Sequence, residues 1–342
     1  MSEHLSEDEL AFVADLLGRA GAVVHQPLTA ELIAGGRSNL TFRLADGSSQ
    51  WVLRTPPRNG RTPSAHDVAR EHKVTSALAA TEVPVARPVV LCESETVLGG
   101  PFSIAEYVDG RTIRTSRDLD AVDDAELDQL VSCLVATLAA LHRVDHLEVG
   151  LDQFGRSDAY AERQLNRWAG QWQIVGPSAA RPLALELRNR LVDALPRQRA
   201  VSIVHGDFRI DNAILGLGRE PNVAAVVDWE LSTIGDPVAD VAMMCAYRNP
   251  ALDLVLGEPS AWTSPRLAAP EGLMAAYEDA GGARLVDWGF HFALAHYKIA
   301  VIAAGIDHRH RAGSGQGAGF ESAGTAVQPF LEAGLAALSA GS

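Results

Sequence analysis

The stretch IVHGDFRIDNAIL, residues 203–215, sets five special residues, His205, Gly206, Asp207, Asp211 and Asn212, between two apolar runs. VSIV ahead of it reads as a buried strand, so the polar residues ride a loop that the strand delivers. Asn212 follows Asp207 by five positions, and NAILGLG then continues as a second strand. REPN turns the chain and VAAVVDWE runs back. In such a hairpin the first residue of the outgoing strand faces the last of the returning one. That spacing predicts Asn212 beside Asp228, roughly 5 Å apart between Cα atoms. Asp207 lies just ahead, so three oxygen-bearing side chains are expected at one end of one hairpin.

Hard cations such as Mg²⁺ take oxygen ligands, commonly a carboxylate, an amide oxygen and substrate phosphates. A carboxylate left off the metal can accept the proton of a hydroxyl. An Asp base, an Asn five residues on and a metal-binding Asp on the returning strand form the kinase arrangement. As a pattern, H-G-D-x₄-N arises by chance in roughly one chain in a thousand of this length.

The chain has 342 residues, 47% of them hydrophobic and 21% charged, which reads as globular. A net charge of −14 opposes binding to nucleic acid or anionic membrane. Neither is expected as a partner. The three cysteines, Cys92, Cys133 and Cys245, fit neither a zinc site nor a CxxC pair. The start, MSEHLSEDEL, is acidic and unlike a secretion signal. The longest apolar run, HFALAHYKIAVIAAGI, contains His291, His296 and Lys298 and is read as too short to span a bilayer. A cytoplasmic protein is expected, with a homodimer left open.

Ahead of the opening stretch, LSEDELAFVADLLGRAG predicts a helix with Ser6 as N-cap and Glu9 completing a capping box. LTAELIA, LTFRLA and QWVLRT read as three strands joined by tight turns. SAHDVAREHKVTSALAA follows as a helix capped by Ser64, and RPVVLCE and FSIAEYV as two more strands. Residues 28–108 thus form a small five-stranded sheet with one helix. Beyond DGRT the pattern turns helical, with segments near 123–143, 158–175 and 182–195. The expected division is 1–108 as a nucleotide-binding lobe and 109–342 as a catalytic and acceptor-binding lobe. AGSGQGAG, 312–319, reads as a flexible loop.

HGDFRIDN together with DWE resembles the aminoglycoside phosphotransferase and choline kinase superfamily. GGRSNLTFRL, WVLRTPP, AEYVDGR, DWELSTIGDPVADVA and YKIAVIAAGI resemble one branch of it. That branch is the kinase-like domain at the N-terminus of some acyl-CoA dehydrogenase family proteins. The resemblance spans about 28–335. It implies an α+β, bilobal protein-kinase-like fold, with a small antiparallel-sheet N-lobe and a mainly helical C-lobe. It implies phosphoryl transfer from ATP, with Mg²⁺, to a hydroxyl of a small molecule.

In such kinases a basic residue on the third strand holds phosphates and pairs with a helix Glu. Here that residue is Arg54, where the wider superfamily has Lys, and the partner is Glu71, set on an apolar face with Val68, Val74 and Leu78. Asp207 is the expected base, and Asn212 and Asp228 the metal ligands. Gly35, Gly36, Ser38 and Asn39 occupy the turn where backbone N–H groups cover phosphate. Glu106, Tyr107 and Val108 stand at the lobe junction, where a free backbone edge can bind adenine. His205 is read as orienting the loop. Asp236 is read as a helix N-cap, and Asp240 as a brace for the loop. Asp211 is read as either near the metal or solvated. Trp168, Trp172, Trp288 and Tyr297 are read as core or as walls of an acceptor pocket.

DHRHR, 307–311, is read as a solvated helix end or as a grip on an anionic acceptor. A hydroxyacyl-type acceptor is the leading expectation, with an aminoglycoside or amino-sugar as the alternative. A nucleotide-binding scaffold is the rival outside catalysis. A protein substrate is disfavoured because few residues separate DWE from DPVAD, leaving no long activation segment.

Overall fold

The computed structural model describes residues 4–25, 27–34, 39–56, 67–314 and 317–340. The chain divides into two compact units. One holds residues 1–109 and takes back 224–232; the other holds 110–223 and 233–342.

The first unit opens with α1 (Glu7–Arg19), where Ser6 and Glu9 form the expected capping box. A five-stranded antiparallel sheet follows, ordered β1-β2-β3-β5-β4. Its strands are β1 (Thr29–Ala34), β2 (Leu40–Ala45), β3 (Gln50–Thr55), β4 (Pro88–Cys92) and β5 (Phe102–Glu106). Alternation along β2 and β3 buries Leu40, Phe42, Leu44, Trp51 and Leu53. They pack with Val13 and Leu17 of α1 and with Phe102 and Ile104. Each such side chain contributes about 1.5–3 kcal/mol on burial. The same period of two turns Arg54 to the opposite face of β3.

The helix α2 (Val68–Leu78) buries Val68, Glu71, Val74 and Leu78 on one side. Its N-cap is Asp67, which accepts the Arg70 amide at 2.9 Å, so the helix starts later than a Ser64 cap implies. Ser64 itself lies outside the described residues.

Helices dominate the second unit: α3 (Asp124–Arg143), α4 (Tyr160–Val175), α5 (Arg181–Asp193), α6 (Pro237–Ala246), α7 (Leu252–Leu256), α8 (Pro270–Asp279), α9 (Trp288–Arg311) and α10 (Ala323–Ala340). Short strands β6 (Ser202–Val204) and β9 (Thr233–Gly235) pair antiparallel, with Val204 opposite Thr233. β7 (Ala213–Gly216) leads into the hairpin that returns as β8 (Asn222–Val226). Entry into the unit is tight. Gly110 has φ +156°, and a Cβ there would lie 2.5 Å from Ile214 Cγ2. Arg111 then exchanges both backbone hydrogen bonds with Leu215.

Helix α9 is apolar on nearly every side and packs against α4, α5, α6 and α10. At 24 residues it is long and apolar enough to cross a membrane, as is α3, which corrects the shorter span expected from sequence. Within the protein, 78% of its apolar window is buried, which makes it the core helix of this unit. Lys298 is the only lysine or arginine between its N-terminus and its last turn.

Candidate active site

The loop of the opening motif belongs wholly to the second unit, and helices hold it from behind. Asp236 caps α6 by accepting the Val238 amide at 3.0 Å, and Pro237 opens the helix. This sets Asp240 in the first turn, fully buried. Its carboxylate accepts the amides of His205 at 2.6 Å and Gly206 at 2.7 Å. His142 of α3 places Nε2 3.2 Å from the same carboxylate. The Nδ1 of His142 lies 2.7 Å from the Tyr277 hydroxyl of α8. Gly206 has φ +83°, a left-handed conformation that favours glycine. Phe208 and Ile210 bury their side chains and pin the loop from below.

Asn212 ends a short 3-10 turn, Ile210–Asn212, so the strand starts one residue later than the sequence implies. Its Nδ2 donates to the Asp207 carbonyl at 2.8 Å and to Asp207 Oδ2 at 3.0 Å. The amide oxygen thereby faces away from Asp207. Arg209 lies between two carboxylates, with Nε 3.5 Å from Asp207 Oδ1 and an Nη 3.1 Å from Asp211 Oδ2. The Tyr247 ring stacks under its guanidinium at 4.9 Å.

Burial alone would raise the Asp207 pKa, but Arg209, the Tyr247 hydroxyl, Lys298 and His205 together hold it below the usual value. Asp211 moves up, through burial and the neighbouring Asp207 charge, against the pull of Arg209. Environments that push two carboxylates apart assign them different tasks. Asp207 is thereby held ionised, and Asp211, partly buried, is paired with Arg209.

Asp228 belongs to the first unit, together with Arg54 and Glu71. Residues 224–232 are tied there by the Val226 amide, which donates to the Pro84 carbonyl at 2.8 Å. Arg70 adds two hydrogen bonds to the Ser232 carbonyl, at 3.1 and 2.8 Å. Buried Trp229 donates from its indole to Val226. Asp228 itself takes a left-handed conformation, φ +66°. Arg54 stands between the two acids, 3.1 Å from Glu71 Oε1 and 3.6 Å from Asp228 Oδ1. These ion pairs lack hydrogen-bond alignment, so Arg54 Nε, Glu71 Oε1 and Asp228 Oδ1 are buried without a hydrogen-bond partner among the described residues.

Burial pushes the Glu71 carboxyl up to about 7, against the charge of Arg54 and with help from Asp228 and Glu230. A raised carboxyl pKa means that the folded protein holds a proton that the unfolded chain has released. Stability therefore falls as pH rises from the ordinary value of 4.5 to about 7. Glu71→Gln is expected to melt no lower than wild type at pH 8, while phosphoryl transfer drops by about tenfold. Melting scans at pH 5 and 8, paired with an ADP-release assay, check both halves.

Among the other expected site residues, Gly35, Gly36 and Ser38 lie outside the described residues. Asn39 is buried, and neither end of its amide has a partner among the described residues. The Glu106 and Tyr107 amides donate to the carbonyls of Arg87 and Gln50, so neither backbone N–H is free. Val108 is the first residue past that edge. DHRHR forms the last turn of α9, where Arg311 pairs with Asp307 and Arg309 is exposed. Tyr297 is core, and Trp172 packs on it at 6.4 Å. Trp168 instead meets a cation: Lys298 Nζ lies 5.8 Å from its ring and donates to the Gly206 carbonyl at 3.1 Å.

Sequence reasoning missed Lys298, Arg209, Tyr247, His142 and Tyr277. A lysine alone in an apolar helix was the one visible signal for Lys298. The others are joined only by folding, at separations of up to 135 residues.

The two units have the fold of the protein-kinase-like phosphotransferases. A structure of an aminoglycoside phosphotransferase candidate from Ralstonia eutropha superposes with TM-score 0.82 at 31% identity, covering 96% of this chain and 97% of that one. A ternary complex of aminoglycoside phosphotransferase APH(4)-Ia with AMP-PNP and hygromycin B shares the fold at TM-score 0.59 and 17% identity, covering 94% and 98%. The profile of the phosphotransferase enzyme family matches residues 29–281, and the chain belongs to that family. Acyl-CoA dehydrogenase family member 11 of Pongo abelii is 33% identical over 95% of this chain. The match takes in 42% of that protein, so the chain spans about two-fifths of the length of this relative.

Proposed function

We propose that the chain moves the γ-phosphoryl group of ATP to a hydroxyl of a small molecule, with Mg²⁺ as cofactor. The observation that carries this is Asp207, a carboxylate kept ionised and oriented by Asn212, Arg209 and Tyr247. In the reaction the acceptor oxygen bonds to the γ-phosphorus and the bond from that phosphorus to the β-γ bridging oxygen breaks. The hydroxyl proton passes to Asp207, and ADP leaves. Arg54, held by Glu71, offers its guanidinium to the phosphates.

Residues for the metal fit its chemistry. Asn212 presents an amide oxygen, and Asp228 a buried carboxylate oxygen without a hydrogen-bond partner among the described residues. Among the described residues no group of three or more His, Cys, Asp or Glu is placed to hold a metal ion by itself. When bound, Mg²⁺ would neutralise charge on the β- and γ-phosphates. ATP should raise the melting temperature more with Mg²⁺ than with EDTA, since a ligand of the folded state stabilises it. Asn212→Ala and Asp228→Ala should each lose that metal-dependent increment. An equal ATP shift with EDTA would remove the metal assignment.

For the acceptor we favour a hydroxyacyl-type compound. Support comes from the relative named for acyl-CoA dehydrogenase, which carries a matching segment within a longer chain. An aminoglycoside is the second reading, favoured by the description of the Ralstonia protein. Intact Asp207, Asn212 and Asp228 weigh against the scaffold reading. ADP release across a panel of hydroxyacyl thioesters and aminoglycosides separates the two: turnover of kanamycin-like substrates alone rejects the acyl reading.

A further inference from the structure

We propose that Lys298 is a positioning residue for phosphoryl transfer, acting on Asp207 through the Gly206 peptide. This rests on the reading of Asp207 as the base. Gly206 stands directly before Asp207 and is gripped from two helices. Its N–H donates to Asp240 Oδ1 of α6 at 2.7 Å. Its carbonyl accepts from Lys298 Nζ of α9 at 3.1 Å. The two helices pack on each other, so the grip has a rigid frame. Gly206 needs one: at φ +83° glycine is the residue with the most freedom to leave, and fixing it costs the most chain entropy. Any rotation there swings the Asp207 carboxylate relative to an acceptor hydroxyl.

Burial lowers the Lys298 pKa, and the charges of Asp207 and Asp240 offset part of that against the opposing Arg167, so the ammonium is retained here by its carboxylate neighbours. Arg209, His205, Tyr247, Asp211 and Asn212 are the further polar and charged groups around Asp207. Trp168 of α4 places its ring 5.8 Å from Nζ, a cation–π contact that covers one side of the ammonium. Aromatic face, carbonyl and nearby carboxylates leave Nζ one favoured position on the surface of α9. From Phe290 to Ile306 the helix is otherwise mostly buried and, His291 and His296 apart, apolar, so packing alone does not call for a lysine there.

Lys298→Met separates the two roles, because it keeps an unbranched stem on Trp168 and removes donor and charge. The probe is ATP hydrolysis with water as acceptor, read as ADP release, beside hydrogen exchange of the peptide covering residues 203–209. Expected for Met are a melting temperature near wild type and an unchanged KM for ATP. Turnover should fall by about 10²-fold, the scale of a 1 Å misplacement. Exchange at the Gly206 and Asp207 amides should rise by about threefold or more, confined to that peptide. Lys298→Gln, a donor without charge, should lie between Met and wild type in both readouts. It carries the test if Met shows no cooperative melt. Wild-type turnover with wild-type exchange in the folded variants overturns the proposal. Faster exchange still reports the grip if Asp207 is not the base, because exchange is measured without catalysis; failure of the base reading itself appears in Asp207→Asn.

Discussion

Asp207→Asn is expected to lower turnover by about 10²-fold or more while ATP·Mg²⁺ still raises the melting temperature as in wild type. The substitution is isosteric, so it leaves the loop in place and removes only the capacity to take a proton. Its partners define what else changes. Asn212 donates from Nδ2 to the Asp207 carbonyl as well as to the carboxylate, and the carbonyl bond survives. Arg209 retains Asp211 at 3.1 Å and the Tyr247 ring beneath it. Loss of charge-assisted bonds from Arg209 and Tyr247 should cost on the order of 1–2 kcal/mol of stability, too little to unfold the unit. Asp211→Asn makes the contrast. Its carboxyl is already shifted upward by burial and by Asp207, and its task is to hold Arg209. That variant should retain much more activity than Asp207→Asn. Equal kinetics in the two, or normal turnover by Asp207→Asn, would remove Asp207 from the chemistry.

The sheet of the first unit was legible because its signals are local. Alternating apolar residues bounded by turn residues located β2 and β3 to the residue, and Ser6 with Glu9 announced α1 three positions apart. The motif loop was equally plain, since Asp207 and Asn212 are joined by a short turn that their spacing dictates. Legibility failed where a side chain's meaning depends on distant chain. Asp67 caps α2 by reaching the amide three residues on, a partner that the Ser64 signal in the sequence did not point to. Asp228 follows the returning hairpin in sequence, yet its segment is stitched to Pro84 and Arg70, which gives it to the unit of Arg54 and Glu71. Tyr107 looked available at a strand end, but Gln50 claims its amide. His142 and Tyr277 show no pattern at all in sequence, because a histidine in an apolar helix and a tyrosine in a short one are each ordinary core residues.

That buried chain of partners yields the second large effect, at Asp240. Asp240→Ala is expected to destabilise the second unit by on the order of 3 kcal/mol and to lower turnover by about 10²-fold. The carboxylate is the shared acceptor for the buried His205 and Gly206 amides and for the buried imidazole of His142. Removing it strands three donors at once and frees the residue ahead of Asp207. Asp207→Asn, by contrast, should lose turnover with little loss of stability, so the two variants separate chemistry from support. The pH dependence adds a check with a definite sign. Burial alone would raise the Asp240 pKa, but the hydrogen bond and charge of His142, the charge of His205 and the His205 amide bring it below the ordinary 3.8. A depressed carboxyl pKa means that the unfolded chain binds the proton first, so the ionised form stabilises the fold above 3.8 and that contribution disappears as pH falls through the lower folded value. The gap in melting temperature between wild type and Asp240→Asn should therefore be steady from about pH 5 to pH 8 and close on further acidification. A gap that widens toward acid would show that the carboxylate is not held ionised by its three donors, and with that the bracing of the Gly206–Asp207 peptide would lose its electrostatic basis.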